Sequence, residues 1–299
     1  MSQNLAANIT SFELFSDFNI PLALKDDDEA AAAHYRIFHL ETLPYASVFL
    51  ESNQLLGGAH TQKIQQFFLS HHFDSRRLEL QPDHLGTQLA FLSHLCREGI
   101  YNQVPEEEKH TQYTQEATRV FLHDHLLSWL SSYVLSLEPQ EIDKDIRDCF
   151  AFYHKTVLFI LDLATNHAFE LGIGAENAIK LPPLDPVLET NECGIKDIAT
   201  YFSTPAQCGS MLRKNDIQRI GRKLNLPTGF GRRADMLEKL FLCAAEYGSI
   251  SDVFDAIHLH LKGCITFYQS IESAGHWLTR CAQNLERIES LKGKLAQKN

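Results

Sequence analysis

Three stretches of this sequence carry residue types that bind charge or move protons. The first is Pro82-Asp83-His84, inside "LELQPDHLGTQLAFLSHL" at 78–95. An acid beside an imidazole could form an acid–base pair, but neighbours on a helix point apart and no third group is identifiable. Proline at a first helical position loses no hydrogen bond, and an acid in the first turn suits the helix dipole. The order therefore predicts a helix over 83–98 with Leu85, Leu89, Leu92 and Cys96 on its apolar face. His84 has no duty in that scheme, because a cation is unfavourable in a first turn. It is the residue best placed to meet a ligand.

The second group is the histidines and cysteines. His71-His72, His123-x-His125, His258-x-His260 and His94-x-Cys96 are adjacent or two apart, so on helices the partners face different ways. H-E-x-x-H and a closely spaced Cys/His quartet are both missing, and no metal is expected. Without a G-x-S-x-G elbow, and with Cys96 and Cys149 set in apolar helical faces, nucleophilic catalysis is not expected either. The third group is Gly229, Gly231, Arg232 and Arg233, in "LPTGFGRRADMLEKLF". A glycine turn feeding a helix can cradle an anion or touch a client protein. With no preceding strand and no G-K-[ST], P-loop and Rossmann readings fail, and the commoner role is an inter-helix turn whose arginines pair with acids. Residues 213–239 hold eight Lys/Arg against three acids, which invites a helix-turn-helix DNA-binding reading. The acidity of the whole chain, −11, argues against nucleic acid.

The elements that must position these groups read as helices nearly throughout: 62–71, 83–98, 112–136, 142–170, 195–202, 214–224, 233–247, 250–271 and 274–296. The acids of 26–33 open another. In 121–137, Leu122, Leu126, Trp129, Leu130, Tyr133 and Leu137 recur at spacings of three and four. The only tempting strand is "YASVFL" at 45–50. An all-α fold is expected, with 44% apolar residues to fill its core. From 175 to 194 three prolines interrupt the helical period, so the chain divides into a body (1–174), a Pro-rich linker (175–194) and a helical extension (195–299). Charge changes sign near the same place: −15 over residues 1–190 and +4 over 191–299. Leu212, Ile217, Ile220 and Leu224 give the extension an apolar face with which to dock on the acidic body, and Arg232 with Arg233 would then lie near the site at Asp83. Seven cysteines without C-x-x-C suggest reduced thiols, and neither an export signal nor a bilayer-spanning run is evident.

Three segments in order, "LPYASVFLESNQLLGG" (43–58), "ELQPDHLGTQLAFLSHL" (79–95) and "FLHDHLLSWLSSY" (121–133), resemble the TorD/DmsD/NarJ-like family of molybdoenzyme chaperones. The likeness covers about residues 34–172, with the Pro-Asp-His run ahead of a long apolar helix as its most specific part. It implies an all-helical cytoplasmic bundle with no catalysis and no resident cofactor; weak guanine-nucleotide binding is the one small-molecule interaction it leaves open. It implies a partner: the twin-arginine leader, and often the body, of a molybdopterin-containing catalytic subunit, either formate dehydrogenase-like or S/N-oxide reductase-like. It further implies no nucleic acid, no stable membrane insertion, and a monomer or domain-swapped dimer. The leader-binding residues it carries over are Pro44, Tyr45, Phe49, Gln81, Pro82, Asp83 and His84. Gln81 departs from the family's usual glutamate, and the extension beyond residue 191 inherits no established task. The rival readings are a DNA-binding regulator built on 213–239 and a nucleotide-binding protein.

Overall fold

The computed structural model describes residues 27–51, 56–101, 108–139, 144–174, 179–190 and 192–296. The fold is all-α, and no strand occurs among the described residues. The chain opens with α1 (Asp27–Tyr35), a π turn (Arg36–Glu41), α2 (Ala46–Leu50), α3 (Ala59–Ser70) and α4 (Leu85–Tyr101). Then α5 (Glu108–Val120) runs through a π turn (Phe121–Leu126) into α6 (Leu127–Ser136), followed by α7 (Lys144–Glu170). The second half is α8 (Ile195–Ser203), α9 (Pro205–Cys208), α10 (Lys214–Leu224), α11 (Arg233–Glu246), α12 (Ile250–Gln269) and α13 (Gly275–Ala296).

Helix α6 is the centre. Leu122, Leu126, Trp129, Leu130, Tyr133 and Leu137, picked out by their spacing, are all buried. Ser128, Ser131, Ser132 and Ser136 are buried as well, so α6 is enclosed on every side rather than along one stripe. Helices α2, α7 and α12 pack against it. The run expected as one helix over 112–136 is continuous, but its π turn widens the spiral by one residue and puts Phe121, Leu122, His125 and Leu126 all inside.

Two local expectations are corrected. Residues 45–50 are not a strand: Ala46–Leu50 is a buried helical turn, and only Tyr45 makes a β-type bridge, to His84. Helix α4 begins at Leu85, three residues beyond Pro82, so Pro82 and Asp83 form a turn ahead of it. Asp83 serves a different helix, as described below.

The second half is bonded to α6 through backbone carbonyls. His276 Nε2 and Trp277 Nε1 both donate to the Ser128 carbonyl, each at 3.1 Å. Arg213 Nη1 donates to the carbonyls of Ser136 and Glu138, each at 2.9 Å, and so closes the C-terminal end of α6. The Pro-rich stretch is held too: Gln207 Nε2 donates to Pro183 O at 3.0 Å, Arg280 Nη2 to Pro182 O at 2.6 Å and Arg287 Nη1 to Asp185 O at 3.0 Å. Leu212, Ile217 and Ile220 are buried, and Leu224 packs partly against the same core.

Candidate functional site

Two segments far apart in sequence, 43–50 and 81–88, close on each other as an antiparallel clasp. Ala46 N donates to Asp83 O at 3.0 Å, and Leu85 N donates to Pro44 O at 2.9 Å. These bonds bring the N-termini of α2 and α4 together. The Asp83 carboxylate then crosses the gap: its Oδ2 accepts from Ser47 N at 2.9 Å, capping α2 from outside that helix. Asp83 O also accepts from Gln88 Nε2 at 3.0 Å, and Gln88 Oε1 accepts from Trp129 Nε1 at 3.4 Å, which ties the clasp to α6.

His84 does have a structural duty, contrary to the sequence expectation. Its Nδ1 accepts from Gly86 N at 3.0 Å, so the imidazole is the N-cap of α4. That bond needs an unprotonated Nδ1. Burial holds the ring's pKa below its ordinary value, against the smaller opposing pull of Asp83. The His84 ring meets Tyr45 edge-on, centroids 4.9 Å apart. Both rings are half-buried, so the pair is the aromatic part of the clasp that reaches solvent, beside exposed Gln81 and Gly86. Burial, and then the Asp83 charge, raise the Tyr45 phenol's pKa.

The remaining expected site residues divide by depth. Gln81 is exposed; Pro44, Pro82, Asp83 and Phe49 are buried. Phe49 packs at centroid distances of 5.6 Å from Trp129 and 5.8 Å from Tyr133, and therefore supports the clasp from the core side.

In these and neighbouring segments several buried side-chain atoms have no hydrogen-bond partner: Asp83 Oδ1, Ser47 Oγ, Thr87 Oγ1, Thr61 Oγ1, His60 Nε2 and His125 Nδ1. The rings of His60 and His125 are 6.0 Å apart, and burial pushes both pKa values down to about 4. For His60 the Asp83 charge opposes this shift, which places the ring within electrostatic reach of the carboxylate. A buried carboxylate oxygen with no donor costs about 1–3 kcal/mol, more when charged, so Asp83 Oδ1 is left with an unmet need for a donor. A guanidinium fits that chemistry, with several N–H donors and a positive charge. Sequence reading did not join His60, His125, Ser47 and Thr87 to the expected site. They come from four separate segments, and no spacing rule joins them.

The second expected site is assembled differently. Gly229, Gly231 and Arg232 are exposed, whereas Arg233 is buried and burial lowers its pKa to about 10. The two arginines therefore point to different environments. At the N-terminus of α11, Asp235 Oδ2 accepts from Arg232 N at 3.2 Å, and its carboxylate pairs with the Arg232 guanidinium at 2.9 Å. A protein carboxylate already occupies the position an anion would take.

A cleft of about 650 Å³ opens between the end of α6 and helices α10 and α12. Arg213, Asp216, Arg219 and Lys223 line its polar side; Met211, Ile220 and Leu259 line its apolar side. Among the described residues, no group of three or more His, Cys, Asp or Glu is placed to hold a metal ion, and no helix is long and apolar enough to cross a membrane.

Fold and site together define an all-helical protein whose clasp of two helix N-termini encloses an incompletely satisfied carboxylate. Residues 2–134 match the family described as nitrate reductase delta subunit. Over 120 residues the chain is 30% identical to the chaperone protein TorD of Vibrio vulnificus, a match covering 40% of this chain and 51% of the relative. It is 34% identical over 96 residues to the protein of that name from a Psychrobacter species (32% and 41% covered). Against the Vibrio cholerae protein it is 33% identical over 122 residues (40% and 48%). The chain thus spans about half the length of the curated relatives it matches, and no solved structure matches it. Through residues 2–134, which contain the whole clasp, the chain is similar to that family and to these TorD chaperones.

Proposed function

We propose that the protein is a cytoplasmic, client-specific chaperone that holds a molybdopterin-containing oxidoreductase subunit, without chemistry of its own, until its cofactor is inserted. Its leader-reading site is the clasp of Pro44, Tyr45, Phe49, Gln81, Pro82, Asp83 and His84. The single observation that carries this reading is Asp83: fully buried, one oxygen used to cap α2 and the other without a partner. A twin-arginine leader brings a guanidinium for that oxygen and an apolar stretch for the aromatic rim of Tyr45 and His84. The −15 charge of residues 1–190 draws such a basic segment in from a distance.

In this reading residues 1–174 are the recognition body, and 195–299 form a docked module that braces α6 from behind. The DNA-binding alternative has less to work with than its eight cations suggest, because Arg213 and Arg233 are buried. Guanine-nucleotide binding has no observation in its favour. The test is co-purification from the native cell at physiological salt. A molybdoenzyme catalytic subunit in the eluate supports the proposal, and its absence from cells shown to express such clients would refute it. Calorimetry with a synthetic twin-arginine leader then tests the site itself.

A further inference from the structure

Phe230 is 93% exposed, far beyond Tyr247 at 69% and Leu259 at 61%. It sits in the turn between α10 and α11, and the turn is built rather than loose. Leu226 N closes α10 by donating to Gly221 O at 2.8 Å, with Asn225 in the left-handed region at φ 55°. A side chain on Gly221 could not be accommodated: its Cβ would fall 2.3 Å from Thr228 Cγ2 and 2.7 Å from Leu226 O. Gly229 (φ 66°) and Gly231 (φ 121°) flank Phe230 in conformations that other residues rarely adopt. Leu226 is buried beneath, so the backbone is anchored while the ring projects.

The same contacts fix what surrounds the ring. The close approach of Gly221 to Thr228 puts the last turn of α10, with exposed Arg222 and Lys223, beside the base of the turn. Gly229 lies against Lys239, whose Cγ would be 3.5 Å from a Cβ there. Arg232 follows, 81% exposed and paired with Asp235. The apolar tip thus has Lys239 beside it and the last turn of α10, which carries Arg222 and Lys223, at its base; Lys223 also lines the cleft between α10 and α12.

We propose that residues 225–231 form a membrane-contacting turn that seats Phe230 among the headgroups of an anionic lipid surface while Arg222, Lys223 and Lys239 meet the lipid phosphates. A single ring at the apex of a convex turn suits a deformable surface, whereas a protein partner would have to supply a pocket. The charge distribution sets the orientation: the −15 of residues 1–190 is repelled by such a surface and the +4 of 191–299 is drawn to it. Contact is peripheral, weak and salt-sensitive. This inference is independent of leader recognition at Asp83.

The experiment is co-sedimentation of the full chain with vesicles of phosphatidylcholine alone and of phosphatidylcholine with phosphatidylglycerol. Wild type should bind the anionic vesicles at low salt and release at high salt. Phe230→Ala should lower partitioning about tenfold, and Lys223→Gln or Lys239→Gln about fivefold each. Leu259→Ala, on α12, should change nothing. Because Phe230 is exposed, its loss leaves the circular dichroism spectrum unchanged. With both native tryptophans buried, Phe230→Trp should report insertion by a blue shift of its emission. Three results would overturn the proposal: no wild-type binding at low salt, equal binding to neutral vesicles, or undiminished binding by Phe230→Ala. Capture by an immobilised acidic protein in place of vesicles would likewise reject a lipid surface.

Discussion

Asp83 and Asp216 are both buried carboxylates, 0% and 1% exposed, yet their surroundings differ in kind. Asp216 is completed within the fold. Its Oδ2 accepts from Arg213 N at 2.9 Å and Arg213 Nε at 3.1 Å, and its Oδ1 accepts from Arg219 Nη2 at 2.9 Å. Asp83 receives one backbone N–H on Oδ2, while its Oδ1 stays unpartnered and its charge acts on the buried, neutral His60. A carboxylate that the chain supplies with two arginines holds the second half of the molecule onto α6. The one that the chain leaves incomplete is the carboxylate to which the proposed leader would bring a guanidinium.

The comparison breaks most visibly if Asp216 is altered. Asp216→Asn leaves the buried Arg213 guanidinium without its carboxylate, and removing one partner of a buried pair costs about 3–5 kcal/mol. Urea denaturation should show a loss of that order. A loss below about 1 kcal/mol would mean that the Arg213–Asp216 pair does not hold the second half onto α6.

Acid should act on a comparable scale, through the histidines around α6. Burial pushes His60, His125 and His276 down to about 4, against an ordinary value near 6.5. Between those values the unfolded chain takes up protons that the folded chain refuses. The contribution of these rings is therefore full above pH 6.5, falls as pH drops toward 4, and levels off below. Each ring can contribute up to about 3 kcal/mol of that fall, less where His60 and His125 are coupled. Urea midpoints between pH 7 and pH 4 should slope downward, and His125→Gln should flatten the slope. A midpoint independent of pH would refute the buried, neutral state of these rings.

Asp83→Asn should separate the two carboxylates by function. Asparagine's oxygen can still accept from Ser47 N, so stability should move by less than about 1 kcal/mol. Affinity for a twin-arginine leader should fall by about 1.5–3 kcal/mol, against a few tenths for the exposed control Glu246→Gln. Equal effects of the two substitutions in calorimetry would remove Asp83 from the site.

Much of the fold was legible in the sequence, because helices announce themselves by period. The runs at 214–224 and 233–247 lie within a residue of α10 and α11, and the apolar face at Leu212, Ile217 and Ile220 is buried. What sequence could not supply was long-range pairing. "YASVFL" alternates weakly enough to suggest a strand, and becomes a helical turn because a carboxylate 36 residues away caps it. Pro82-Asp83 imitates a helix start for the same reason: the acid does cap a helix, but a different one. Arg232 and Arg233 look like a pair in sequence, but the start of α11 turns one outward and the other into the core. The approach of His60 to His125 and of Ser47 to Asp83 was illegible, since these residues meet only after folding.

The smallest expected effect belongs to His84, which has two separable tasks in the clasp. As N-cap of α4 it satisfies Gly86 N, and as half of the rim it meets Tyr45 edge-on. His84→Ala loses both, and the missing cap should cost about 1 kcal/mol of stability. His84→Asn restores a side-chain acceptor at the same position, and asparagine is among the best N-caps, so most of that stability should return. It does not restore the ring. If the Tyr45–His84 rim takes part in recognition, the asparagine variant should be close to wild type in urea yet weaker toward the leader, with Tyr45→Ala weaker by a similar factor. Wild-type leader affinity in His84→Asn would reduce the residue to a cap, and leave Asp83 to account for recognition at the clasp.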